Sequence, residues 1–210
     1  FEQAGGLMNL YTETNTDRML FGWEVPTVMF QSLNAGFIII FATIVAGYWA
    51  KRKLKGKEAS SLFKMALGII IMGFGFLFMV FAAMEFEKSG YSSMLWLVLA
   101  YFFHTIGELC ISPVALSFIT KLAPVKYASL MMGVYFAATG LGNKVAGIVG
   151  ESATDYGEKT IFMGILIFTV IIGGLFISIL KPLKRLTHGV EDQERDLKRE
   201  EAEGFELADN

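Results

Sequence analysis

A single cysteine, Cys110, stands in the 210 residues, so no disulfide can form within the chain. Histidine is nearly as scarce: His104 and His188, with that one cysteine, are too few for a Cys/His metal cluster. Charge is missing from long stretches, because it falls almost entirely in short connections and the C-terminal tail, and the net charge of -2 therefore says little. No cleavable signal peptide opens the chain. It starts on Phe1, Glu2 and Gln3 without Met, which reads as part of a longer polypeptide.

What is abundant is apolar. Hydrophobic residues make up 54% of the chain and the mean hydropathy is +0.51, above the balance of an ordinary soluble domain. The 19 Phe and 22 Gly suit packed membrane helices, where Gly permits close backbone approach. Five apolar segments, at about 28–50, 62–84, 94–120, 128–150 and 160–180, are long enough to cross a bilayer, which takes roughly 20 residues. A sixth, 1–12, would reach only about 18 Å across a hydrocarbon core of ~30 Å. It is expected to be the outer end of a helix that begins outside this chain. The fold class is thus all-α, a polytopic transmembrane bundle over 1–182 with a charged tail over 183–210.

Loop charge predicts the orientation. The connection 51–64 carries Lys51, Arg52, Lys53, Lys55, Lys57 and Lys64 against Glu58. Lys121 and Lys126 flank the break at Pro124, and Lys181, Lys184 and Arg185 follow the last span. The alternate connections are acidic or neutral, with Glu13, Asp17, Arg18 and Glu24, then Glu85, Glu87 and Lys88, then Glu151, Asp155, Glu158 and Lys159. Basic loops face the cytoplasm, which puts the C-terminus there. The tail from 188 onward is dense in mixed charge and is expected to be a solvated, partly frayed helix without functional weight.

Against this background Glu108 stands out. A carboxylate near the middle of a spanning helix costs several kcal/mol unless it faces protein or water, so it marks a cavity that handles charge and favours a transporter over a passive anchor. His104, four residues earlier, shares its helix face. It reads either as a proton-relay or metal partner, or as a residue capping a cavity or bonding a neighbouring carbonyl, the second being the simpler reading. Ser112-Pro113 follows Glu108 within about a turn, and proline removes a backbone donor, so a kink is expected beside the carboxylate. Lys144 is a second charge within a span; its stem can snorkel outward, or it can pair with Glu108 or His104. Gly140, Gly142, Gly147 and Gly150 around it suggest tight helix contact. Gln31, Ser32 and Asn34 open the second segment and suit either caps or a cavity lining. Cys110 is most simply a packing residue.

The stub FEQAGG with its following NTDR, the run FQSLN, the block GELCISPVALSFITKLAP, and the pieces MMGVYF and GLGN occur in order up to about Gly150. Together they resemble the C-terminal half of the proton-coupled oligopeptide transporter family, within the major facilitator superfamily. The resemblance implies that the stub and five spans are the seventh through twelfth transmembrane helices, built from inverted repeats with a site near the midplane. It implies that Glu108 attracts the amino group of a di- or tripeptide, that Ser112 lines the same cavity, and that Leu116 helps form a cytoplasmic-side gate. Gln31 and Asn34 fall where the family contacts peptide backbone. Phe1 and Glu2 fall on the seventh-helix aromatic and acid, with Glu2 in the gating and proton-linked network, in which Lys144 is also placed. The family's usual eleventh-helix Trp is Tyr135 here, and Ala115 stands where Gly is common.

The reading that follows is symport of di- and tripeptides with protons, by a chain in the cell's inner (plasma) membrane that supplies half a site. Its partners would be peptides, protons, membrane lipid and the N-terminal half with that family's ExxERFxYY motif. No cofactor, metal or nucleic acid is expected. Alternatives are a major facilitator carrier of nitrate or drug-like solutes, of which an anion carrier would be expected to place Arg or Lys at the midplane, and an intramembrane enzyme, for which no nucleophile or metal set accompanies His104 and Glu108.

Overall fold

The computed structural model describes residues 2–57 and 59–186. Phe1, Glu58 and the tail from 187 onward, with the expectations placed on them, lie outside the described residues.

The stub is two pieces. A 3-10 turn, Glu2–Ala4, is broken by Gly5-Gly6 before helix α1, Leu7–Asn15. The segment that follows makes three short strands, and a fourth lies just before residue 94, none of which the helical reading of the sequence included. β1, Thr16–Asp17, pairs in parallel with β4, Ser92–Ser93, and β2, Met19–Leu20, forms a hairpin with β3, Trp23–Glu24. Phe21 and Gly22 turn that hairpin with φ of 51° and 82°, the positive values that a two-residue hairpin loop of matching twist requires.

Long helices carry the rest: α2, Thr27–Leu54; α3, Ser61–Ser89; α4, Met94–Leu122; α5, Ala128–Glu151; and α7, Glu158–Ser178. The short α6, Ala153–Tyr156, and α8, Leu180–Leu186, flank α7. Their ends follow from local chemistry. Ser60 accepts a hydrogen bond from Phe63 N at the start of α3, and Ser93 does the same for Leu95 N at the start of α4. Gly90, at φ 79°, closes α3 with its N–H on the Phe86 carbonyl. Among the described residues, α2, α3, α4 and α7 are long and apolar enough to cross a membrane. α5 has the length, but Asn143, Lys144 and its glycines dilute its apolar character.

α3 is the centre of the packing, with α4 on one side and α7 on another, while α2 lies along α4. The α3–α4 seam is close enough for backbones to touch: a Cβ on Gly107 would stand 2.7 Å from the Gly68 carbonyl oxygen and 2.9 Å from Met72. Phe76, Met79, Val80, Leu97, Tyr101 and Phe162 fill the core between these helices and α1. α2 buries only Phe30, and α5 buries no residue. The expected close contact of the α5 glycines is therefore corrected. Gly140, Gly142 and Gly147 have nothing within 4 Å of an added Cβ, because α5 turns them away from the bundle, and only Gly150 lies near Gln3 and Leu7.

Polar groups tie the end of the bundle where α1, the α3–α4 turn and α7 meet. Asn15 donates to Glu158, Ser92 donates to the Asn15 carbonyl at 3.1 Å, and Lys159 pairs with Glu87 at 2.6 Å. Glu85 accepts from Ser93 N at 3.1 Å and from the Trp96 indole at 2.5 Å. These bonds fix where α1 enters and so hold the turn Glu2–Ala4 beside α2, α4 and α5.

Candidate functional site

α4 places Glu108 midway along its 29 residues, half-buried and facing α2. Asn34, on α2, donates its Nδ2 to Glu108 Oε2 at 3.0 Å. Its Oδ1 is 2.5 Å from the hydroxyl of Thr105, which also lies 2.8 Å from the Tyr101 carbonyl one turn back. Tyr101 in turn donates its hydroxyl to the Ala4 carbonyl at 3.2 Å. A line of bonded residues thus runs from the turn Glu2–Ala4 to the carboxylate, with the Tyr101 ring standing between its hydroxyl and its carbonyl. Thr105 and Tyr101 are fully buried, and a buried polar group is costly unless bonded, so this line has few alternatives open to it.

The turn is bonded to two other helices. Gln3 donates to the Ala146 carbonyl of α5 at 2.8 Å. With its amide nitrogen facing the carboxylate, Asn143 of α5 donates to both Glu2 oxygens, at 2.9 and 3.1 Å. Gln31 of α2 lies against Gly5, where a Cβ would stand 3.3 Å from its amide nitrogen. Four elements therefore converge: the turn, α2, α4 and α5.

The structure brings together some of the residues singled out by sequence. Asn34 and Glu108 are bonded, and Glu2 and Gln31 border the same turn. Ser112 and Leu116 follow Glu108 along α4, both half-buried. α4 runs unbroken through Pro113, whose missing N–H frees the carbonyl of Leu109, the residue next to Glu108. Tyr135 is half-buried on α5 and packs edge-on against Phe136, and Lys144 is exposed without a bond to Glu108 or His104 among the described residues.

His104 differs from its expectation. It is fully buried, neither ring nitrogen has a hydrogen-bond partner, and the ring packs 4.6 Å from Phe76 with its edge over Gly75. It turns to α3 while Glu108 turns to α2, so it neither bonds a carbonyl nor relays to the carboxylate. Among the described residues no group of three His, Cys, Asp or Glu is placed to hold a metal. Thr105, Tyr101 and Asn143 were not singled out by sequence. Thr105 had a signal, since it is a polar residue three before Glu108 on the same helix side.

Chemically, the arrangement presents one carboxylate with Oε2 taken and Oε1 without a hydrogen bond among the described residues. It suits a cationic or protonated partner held beside an amide that can donate and accept.

Over residues 1–176 the chain matches the family model described as PTR2: POT family. It is 38% identical over 199 residues to the peptide transporter YePEPT of Yersinia enterocolitica, covering 92% of this chain and 39% of that protein. To the di-/tripeptide transporter of Lactococcus lactis subsp. lactis it is 31% identical over 189 residues, covering 88% and 38%. A crystal structure of a peptide transporter POT in complex with sulfate superposes with a TM-score of 0.80 at 30% identity, over 88% of this chain and 37% of that one. The chain spans under two fifths of the length of the curated relatives it matches.

Proposed function

The chain belongs to the POT family, and on that premise we propose that it is the C-terminal half of a proton-coupled symporter of di- and tripeptides. The observation that carries this is the half-buried Glu108 carboxylate at the middle of a candidate span, bonded to Asn34 with one oxygen available. A peptide ammonium needs such a desolvated carboxylate, and a proton can neutralise the same group, so one site serves both cargoes. Asn34 and Gln31 contact the peptide backbone, Ser112 lines the cavity, and Tyr135 shapes the space for side chains. Glu2 and Lys144 belong to the proton-linked network and Leu116 to the cytoplasmic gate.

Support for a missing partner half comes from the surfaces of α2 and α5, which bury almost nothing within this chain although they flank the site. A second bundle carrying basic residues for the peptide carboxylate would cover them. The basic connections support a cytoplasmic C-terminus, in a chain of the inner (plasma) membrane. The test is uptake of labelled dialanine by the full-length transporter in proteoliposomes. Uptake should rise several-fold with an inward proton gradient, and equal uptake with and without it would remove proton coupling from the proposal.

A further inference from the structure

Thr105 has no part in the reading above, yet its hydroxyl sits between two acceptors. Asn34 Oδ1 is 2.5 Å away and the Tyr101 carbonyl oxygen 2.8 Å away, in a fully buried position. A hydroxyl has one proton to give and lone pairs with which to accept. Asn34 is a carboxamide whose two ends are nearly alike in shape, lying between that hydroxyl and the Glu108 carboxylate.

Two arrangements satisfy every one of these groups. With Glu108 charged, Thr105 donates to Asn34 Oδ1 and Asn34 Nδ2 donates to the carboxylate, which is the arrangement observed. With a proton on Glu108, that carboxyl becomes a donor. The amide then rotates half a turn, its oxygen accepts from Glu108, its nitrogen donates to Thr105 Oγ1, and Thr105 donates to the Tyr101 carbonyl. The Thr105 proton and both ends of the amide have partners in either arrangement, the Tyr101 carbonyl keeping its helical N–H when Thr105 turns to Asn34, and the only particle that enters is the proton on the carboxylate.

We propose that Thr105 is a positioning residue that lets the Asn34 carboxamide turn with the protonation of Glu108, so that the amide offered to a peptide backbone reports the proton. This rests on the reading of Glu108 as the carboxylate shared by proton and peptide. Other ionisable groups on the surrounding elements are engaged elsewhere: His104 against Phe76, Glu2 with Asn143, and Lys64 over the Trp49 ring. Lys144 on α5 makes no bond to Glu108 among the described residues.

The test compares Thr105→Val, which keeps the shape and removes donor and acceptor, with Thr105→Ser, which keeps both. In the full-length transporter, Thr105→Val should raise the dialanine KM roughly fivefold, the worth of one hydrogen bond. It should also flatten the pH dependence of KM, while Thr105→Ser restores both. A valine variant with the wild-type pH profile, or a serine variant as impaired as valine, would overturn the role; if the valine variant does not insert, Thr105→Ala takes its place. Infrared difference spectra of the full-length transporter give a readout without transport. Acidification should shift an amide carbonyl band that is lost in Asn34→Ala, and Thr105→Val should abolish the shift. A band that ignores pH in the wild type would refute the rotation. Wild-type protein that takes up no dialanine would refute the transport reading, leaving the infrared result to judge Thr105.

Discussion

Asn34 holds both ends of its amide on α4, and this fixes what its removal does. It costs Glu108 a hydrogen bond and, in the proposed site, costs a peptide its backbone contact. Asn34→Ala should therefore weaken dialanine binding by about 0.5–1.5 kcal/mol, while a simple alkylamine, lacking the amide, should bind almost unchanged; competition assays with the two ligands check this, and equal losses would make Asn34 a structural cap. Tyr135 belongs to the same scale: Tyr135→Trp should leave dialanine affinity unchanged and lower that of diphenylalanine, because the larger ring takes side-chain room. Glu108 was legible from sequence because burying a carboxylate in a span is expensive whatever surrounds it. The bond between Asn34, Thr105 and Glu108 was not, because it depends on the register of α2 against α4, to which the local pattern is blind. His104 misled for the same reason: sharing a face with Glu108 did not tell which neighbour that face meets.

At the scale of elements, apolar runs announced the helices. Ser60, Ser93 and Gly90 end them where hydrogen-bonding needs dictate. The two-residue strands had too little pattern to be read, and the α5 glycines were read as a contact that this chain does not make. The real glycine seam is Gly68 against Gly107. Gly107→Ala should drive a methyl into backbone and destabilise the purified chain by about 1–3 kcal/mol, lowering its thermal midpoint in detergent. Gly142→Ala, with open space around it, should be neutral or gain up to about 1 kcal/mol from helix propensity. The reverse order of the two midpoints would place the tight seam on α5.

For the whole molecule, the alternating charge of the connections sets a testable orientation. Cys110 is buried and should stay silent toward membrane-impermeant thiol reagents, so an introduced cysteine reports alone. A cysteine at Lys57 should label only from the cytoplasmic side and one at Glu24 only from the opposite side. Alternating access needs two bundles rocking about a shared site, so the 210-residue chain alone in liposomes should not accumulate dialanine against a gradient. Accumulation would mean that this bundle is a complete transporter.

The most direct measurement is dialanine uptake by the full-length transporter carrying Glu108→Gln, normalised to protein inserted in the membrane. Gln keeps the shape and a hydrogen-bond acceptor for Asn34 but has no charge for an ammonium and no titratable proton. Uptake is expected to fall below about a tenth of the wild-type rate, a loss of more than roughly 1.4 kcal/mol of transition-state stabilisation, with insertion near normal. Retention of a tenth or more would contradict the assignment of Glu108 as the carboxylate shared by peptide and proton.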